Sequence, residues 1–340
     1  MEGVGHAAAV RPERVGASSM KTINIQPGHI ARHTPRNAGA QGREAAVVDV
    51  AQDLLLQRLH DDGDLDFVAI KGGTAIRKLY AGNEGRFSLD LDFSVSDFDL
   101  GRDEVAEAFA SAVDRLSIGP FRYSVRERRG KWSVVFESGF VREPSLATKL
   151  DFSPAPWLEP VERTWVAMPI HKQYAAPLPA IKTVRLEENI AEKVARLNRT
   201  TTARDMYDLA WIMGKAPLAR SLDLDLVRRL SVLKIWVDSN GLHSGSMTWP
   251  PGHEKSVFDV ERWLRERSDG EFDLEDIGAL AVPAPSPKEL SESVRIGFSF
   301  LSNLTDEEEV LAKADNRDRS LAIRLLEGLP GGRFVGSGAY

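Results

Sequence analysis

A strand carrying two carboxylates on one face, set behind a strand broken by two glycines, constrains this chain more than any other feature. Lys71-Gly72-Gly73-Thr74 closes the short apolar run 66–71, and Ser88-Leu89-Asp90-Leu91-Asp92-Phe93 opens the next strand, 88–95. Side chains alternate across a strand, so Asp90 and Asp92 project together, while Leu89, Leu91 and Phe93 project into a core. Two carboxylates side by side repel unless a cation neutralises them. When the substrate carries phosphates, that cation is Mg²⁺ (or Mn²⁺), held by oxygen ligands. A pair of such ions can activate an attacking hydroxyl and stabilise a leaving pyrophosphate. A solvated edge strand would carry the same two acids harmlessly; the flanking apolar residues and the upstream glycine turn favour the functional reading.

The glycine turn and a third strand extend the argument. Gly72 and Gly73 let backbone amides approach a phosphate with no Cβ in the way. Thr74 adds a hydroxyl and can cap a helix over 74–80, whose N-terminus favours negative charge. No Gly-Lys-Ser/Thr follows, so this is not a Walker loop. Lys71 and Arg77 can add charge there or lie exposed. The strand 146–153 turns Leu150 and Phe152 to one face and Lys149 and Asp151 to the other. Beside the first strand it would bring Asp151 to the same metals, to help deprotonate the incoming hydroxyl. A strand-end Asp capping a turn before Pro154 is the alternative.

Around these motifs the pattern reads helix 44–60, strand, helix, strand, helix 105–116, a hairpin of 121–125 and 132–136 about Arg129-Gly130, and strand 146–153. That is a mixed sheet with helices on it. From about residue 181 the chain is mainly helical, at 187–197, 203–213, 224–237, 289–301 and 307–326, with a loop at 241–256 and a Pro-rich linker at 282–288. The class is α+β, divided as a flexible leader and arm 1–43, a first domain 44–170, a helical domain 171–330 and a flexible tail 331–340. The absence of cysteine from 340 residues excludes disulfides, thiolate zinc sites and Cys nucleophiles. No apolar run is long enough to span a membrane, and residues 1–17 lack the apolar core of a signal peptide, so a cytoplasmic location is expected. A net charge of −6 opposes non-specific coating of nucleic acid but leaves room for a local basic face.

The second half supplies charges for that site. Lys193 borders the apolar stripe Ile190, Val194 and Leu197, so its stem can lie on protein while its head reaches a cleft, with Arg196 on a neighbouring surface. A solvent-facing lysine paired with Glu192 or Asn189 fits the same spacing. Asp205 and Asp208 share one surface of the next helix, and Arg204 has the spacing to pair with Asp208. Orienting Lys193 or Arg204 and acting directly in catalysis are equally open to them. Tyr207 and Trp211 suit a core more than a base stack. Arg122, Arg126 and Arg128 share one face of the hairpin, with Lys131 at its turn: either an RNA backbone contact or a solvated sheet face.

Taken in order, Lys-Gly-Gly-Thr-Ala, Arg-Phe-Ser-x-Asp-x-Asp-Phe, Glu-Asn-Ile-Ala-Glu-Lys-Val and Ala-Arg-Asp-Met-Tyr-Asp-Leu resemble the AbiEii/MenT family over residues 45–215. These are nucleotidyltransferase toxins of the DNA polymerase β-like superfamily, found in bacterial toxin–antitoxin and phage-defence systems. The resemblance implies a polymerase β-like mixed sheet followed by a mostly helical C-terminal domain. It implies Gly73 and Thr74, with Gly72 and Ser88 beside them, at the nucleotide. It further implies Asp90, Asp92 and Asp151 as metal carboxylates, Lys193 with Arg196 on the triphosphate, and Asp205 and Asp208 as the following acidic motif. Ser88 also resembles a regulatory phosphorylation position in such toxins. The interval between the glycines and Asp90 is longer than in the compact polymerase β pattern. The implied activity moves a nucleotide from an NTP to a hydroxyl, the 3′ end of tRNA in several members, under restraint by an antitoxin. Nucleotidylation of a protein or small molecule, and non-catalytic nucleotide sensing, are the alternatives.

Overall fold

The computed structural model describes residues 22–36, 39–96, 100–141, 145–240, 274–312 and 319–333. The leader 1–17, the loop 241–256 and the tail beyond 333 lie outside the described residues. An eight-stranded sheet has the order β3-β4-β5-β6-β2-β1-β8-β7. Its strands are β1 (Val68–Lys71), β2 (Asp90–Val95), β3 (Ser117–Ile118), β4 (Phe121–Arg128), β5 (Lys131–Glu137), β6 (Ser145–Ser153), β7 (Val161–Arg163) and β8 (Ile181–Thr183). Most pairs are antiparallel, but β2 runs parallel to β6 and β1 parallel to β8. β8 lies where the sequence pattern turns helical, so the sheet extends past residue 170.

The helices are α1 (Pro27–His33), α2 (Gly39–Asp61), α3 (Gly72–Ile76), α4 (Arg102–Val113), α5 (Leu186–Arg199), α6 (Ala203–Gly214), α7 (Ala216–Ser221), α8 (Leu224–Asn240), α9 (Pro287–Gly297), α10 (Asp306–Ala312) and α11 (Arg319–Glu327). Several differ from the sequence pattern, and α7 is not in it. The arm 26–43 is α1 and the start of α2, with Pro27 in the first turn of α1, where its missing N–H costs nothing. Of the pattern over 307–326, the described residues form α10 and α11, and 313–318 lie outside them. Helix α9 stops at Gly297, followed by a 3₁₀ turn at Ser299–Ser302.

One face of the sheet is the core. Leu91, Phe93 and Val95 alternate inward, and Phe93 meets Phe109 of α4 at 5.1 Å and Phe152 of β6 at 5.6 Å. Leu89 does not join them; one residue before β2 begins, it is 50% exposed. Helix α2 is buried along most of its length, and Ala51 C=O accepts from the Tyr123 hydroxyl at 2.8 Å. Its buried acids Asp49 and Asp53 receive Arg77 and Lys78 from the π-helical turn Arg77–Ala81 that continues α3. Arg77 forms two 3.0 Å bonds to Asp49 and also donates to Gly82 C=O at 3.0 Å and Gly85 C=O at 2.9 Å. Arg77 is therefore a core clamp on the long loop leading to β2, not a phosphate ligand. The helical half packs its own apolar clusters from α5, α6, α8 and the late helices.

Candidate active site

Register brings the three acids together. Across the parallel pair, Asp92 lies opposite Asp151 and Asp90 opposite Lys149; across the antiparallel pair, Lys71 lies opposite Asp92. Partnered residues share a face, so Asp90, Asp92 and Asp151 stand on the sheet face away from the aromatic core. Asp90 and Asp92 are half-buried and Asp151 is exposed. Burial pushes the Asp92 carboxyl above its usual range, and Asp90 and Asp151 push it further, against Lys71 and Arg196. Lys149 Nζ donates to Asp151 at 3.1 Å, and Arg204 lies 3.7 Å from Asp90 rather than pairing with Asp208. Among the described residues, no three His, Asp or Glu side chains are gathered tightly enough to grip an ion as they stand.

The glycine turn abuts this cluster. Helix α3 springs directly from β1, with Gly72 at φ +71°, and a Cβ there would lie 2.3 Å from Asp92 Oδ2. A Cβ on Gly73 would lie 2.1 Å from Arg86 Nη2 and 3.1 Å from Ser88 Oγ. Lys71, not Thr74, holds the cap position, and the buried Thr74 hydroxyl donates to Asp90 C=O. Thr74 thus ties the turn to the carboxylate strand, its hydroxyl turned inward. Ser88 is buried beside Gly73, so a group added to its hydroxyl would press on the turn. Gly72→Ala is expected to cost about 1–2 kcal/mol through the left-handed backbone alone and to displace Asp92. A fall in Tm with loss of transfer activity checks it.

Behind the glycines lies a buried ionic network. Lys193 Nζ sits 2.9 Å from both Asp205 Oδ1 and Asp208 Oδ2. Arg86 forks onto Asp208 at 2.9 and 3.0 Å, and Thr202 Oγ1 donates to Asp205 at 2.8 Å. Burial alone would raise both carboxyls, but Arg86 and Lys193 outweigh it at Asp208, and Lys193 and Arg196 do so at Asp205, so both sit below their usual range. The Lys193 amine, 2% exposed as a residue, turns to these acids rather than into an open cleft, because two buried carboxylates need a cation. Arg196, with 41% of its side chain exposed and its charge felt at Asp92, is the more accessible cation. Tyr207 donates to Glu84 C=O at 3.1 Å, and Trp211 packs in the helical core.

Sequence reasoning assigned no role to Arg86 or Lys234, and offered Glu192 only as a partner for Lys193. Glu192 receives Lys71 at 2.7 Å and Lys234 at 3.3 Å. Lys71, Glu192 and Lys234 line a cleft of about 260 Å³, with Ser153 and Arg196, next to the acids. Burial favours the neutral Glu192, but Lys71 and then Lys234 outweigh it and hold the carboxyl at about 2. Because the folded value lies below the ordinary 4.5, the stability from its ionisation is present above pH 4.5 and is lost as pH falls towards 2. Glu192→Gln should flatten that part of the acid-unfolding curve, read by circular dichroism.

Comparison with known proteins gives the family and the fold. A family profile described as "Nucleotidyl transferase AbiEii toxin, Type IV TA system" matches residues 54–287. No curated protein sequence matches the chain. Among solved structures, MenT4, a nucleotidyltransferase toxin from Mycobacterium tuberculosis H37Rv, is similar, with a TM-score of 0.76 and 34% identity over 90% of this chain and 99% of that one. With a family match across more than half its length and a fold shared almost end to end, the chain belongs to the AbiEii family of nucleotidyltransferase toxins of type IV toxin–antitoxin systems.

Proposed function

We propose that this protein transfers a nucleotidyl group from an NTP to an acceptor hydroxyl, the 3′ end of a tRNA, releasing pyrophosphate. The register that sets Asp92 beside Asp151, with Asp90 two residues away on the same face, supports this reading most. The donor set is oxygen only and its acids repel one another at Asp92, which fits a hard divalent cation such as Mg²⁺ or Mn²⁺. Asp90, Asp92 and Asp151 would hold it. Bound there, such an ion supplies charge neutralisation at the triphosphate and a more acidic acceptor hydroxyl.

The chain's own groups divide the remaining work. Gly72 and Gly73 give the phosphates a close approach, and Arg196 offers them positive charge, with Lys193 adding to the field from behind. The acceptor oxygen bonds to the α-phosphorus as the bond from that phosphorus to the bridging oxygen breaks. Pyrophosphate departs with the electron pair, and the acceptor proton passes to Asp151, the most exposed of the three acids. A cognate antitoxin is the expected protein partner, and the cytoplasm the expected location; no described helix is long and apolar enough to cross a membrane.

The net charge of −6 favours a second reading, in which the acceptor is a protein or small molecule. Incubation with each α-labelled NTP and total RNA, then with protein lysate, separates the two. Label in tRNA-sized RNA is expected; label in protein alone defeats the tRNA assignment.

A further inference from the structure

The acid-bearing sheet face does not end at the acids. The row through Asp90 continues to Lys149 on β6, Ser133 on β5 and Arg126 on β4. The adjacent row of the hairpin sets Arg128 opposite Lys131. Arg122, Arg126, Arg128, Lys131 and Lys149 are exposed there, on the side of the sheet away from α2 and α4. Among the described residues, no ion pair holds Arg122, Arg126, Arg128 or Lys131. Glu137, opposite Arg122 at the far end, is the one acid besides Asp151 on this face of β4, β5 and β6. Strands lie about 4.8 Å apart, so Arg126 is about 14 Å from Asp90 along the row.

We propose that this basic sheet face is the track on which the acceptor RNA lies, gripping its phosphates so that the terminal hydroxyl reaches Asp151. The assignment rests on the transfer reading and adds the surface that recognises the acceptor. The chemistry of the face favours RNA over a protein partner. Its outward positions on the hairpin are Arg, Ser, Arg, Arg and Lys, Ser, Val, Glu, with no aromatic anchor of the kind that dominates protein interfaces. The same lack of aromatics leaves no platform for stacking bases, so the grip is on the backbone and is indifferent to sequence. The overall acidity of the chain would keep RNA from settling elsewhere.

The test is Arg126→Glu/Arg128→Glu, with Arg102→Glu/Arg324→Glu as an equal charge change on distant helices. Affinity for tRNA is read by fluorescence anisotropy over a salt series, and Tm confirms folding. The hairpin variant should bind tRNA about tenfold or more weakly, with a log–log salt slope reduced by about 1.4, or about 0.7 per lost phosphate contact. The control pair should bind within about twofold of wild type. Unchanged affinity and slope in the hairpin variant overturn the proposal, as does an equal loss in the control pair. Transfer by the wild type is scored separately: weakened tRNA binding in the variant, with no RNA ever labelled by the wild type, would defeat the tRNA-acceptor reading and leave the face as an RNA-binding surface only.

Discussion

Asp92→Asn should reduce nucleotidyl transfer by about 10²–10³-fold while leaving Tm equal to or above that of the wild type. The two halves of that result have one origin. Asp92 is half-buried, faces Asp151 across the parallel ladder and shares its face with Asp90, so its carboxyl is pushed upward by burial and then by both neighbours. A carboxyl whose folded pKa is raised binds its proton more tightly in the folded state. Its ionisation therefore opposes folding, and the cost is fully present above the folded pKa. Asparagine keeps the shape and removes the charge, relieving the fold and depriving a cation of a ligand. Retained transfer in folded Asp92→Asn would defeat the catalytic assignment and favour a nucleotide-sensing protein. A large fall in Tm would make the carboxylate structural. Parallel measurements on Asp90→Asn and Asp151→Asn separate the individual acids.

The shared face of those acids was legible in the sequence because alternation on a strand is a local property: Leu91 and Phe93 turn one way, Asp90 and Asp92 the other. That β2 pairs in parallel with β6 was not legible, since the hairpin and α4 intervene and only tertiary packing selects the neighbour. The same gap explains Leu89, apolar by type but exposed just before β2 begins. Periodicity also treats charged residues as solvent-facing, which hides buried ion pairs. Asp49, Asp53, Arg77 and Lys78 are all buried and satisfy one another through contacts between distant segments. Lys193 has the same origin: its position beside an apolar stripe suggested a snorkelling cation, yet two acids from the next helix take its amine. Helix α1 went unrecognised because it is short and buries a single residue, Ile30, too little to create a period.

That buried network is where the largest stability effect is expected. Asp208→Ala should cost about 3–5 kcal/mol, because it strands Arg86 and Lys193 as buried charges with a partner removed. The damage would not stay local. Arg86 Nη2 occupies the space a Cβ on Gly73 would claim, so a displaced guanidinium moves against the glycine turn. Transfer should therefore fall along with Tm. Asp208→Ala/Arg86→Met separates the two effects, since deleting both partners leaves no stranded guanidinium. The double variant should regain a large part of the lost stability, a coupling measurable by a denaturant-melt cycle, while transfer stays low because the guanidinium that supports Gly73 is gone. Additive losses in the cycle would show that Asp208 and Arg86 act independently, and would remove the link between the acidic helix motif and the phosphate turn. Recovery of transfer with stability would instead make Arg86 a structural filler, its contact with the glycine turn without consequence for the reaction.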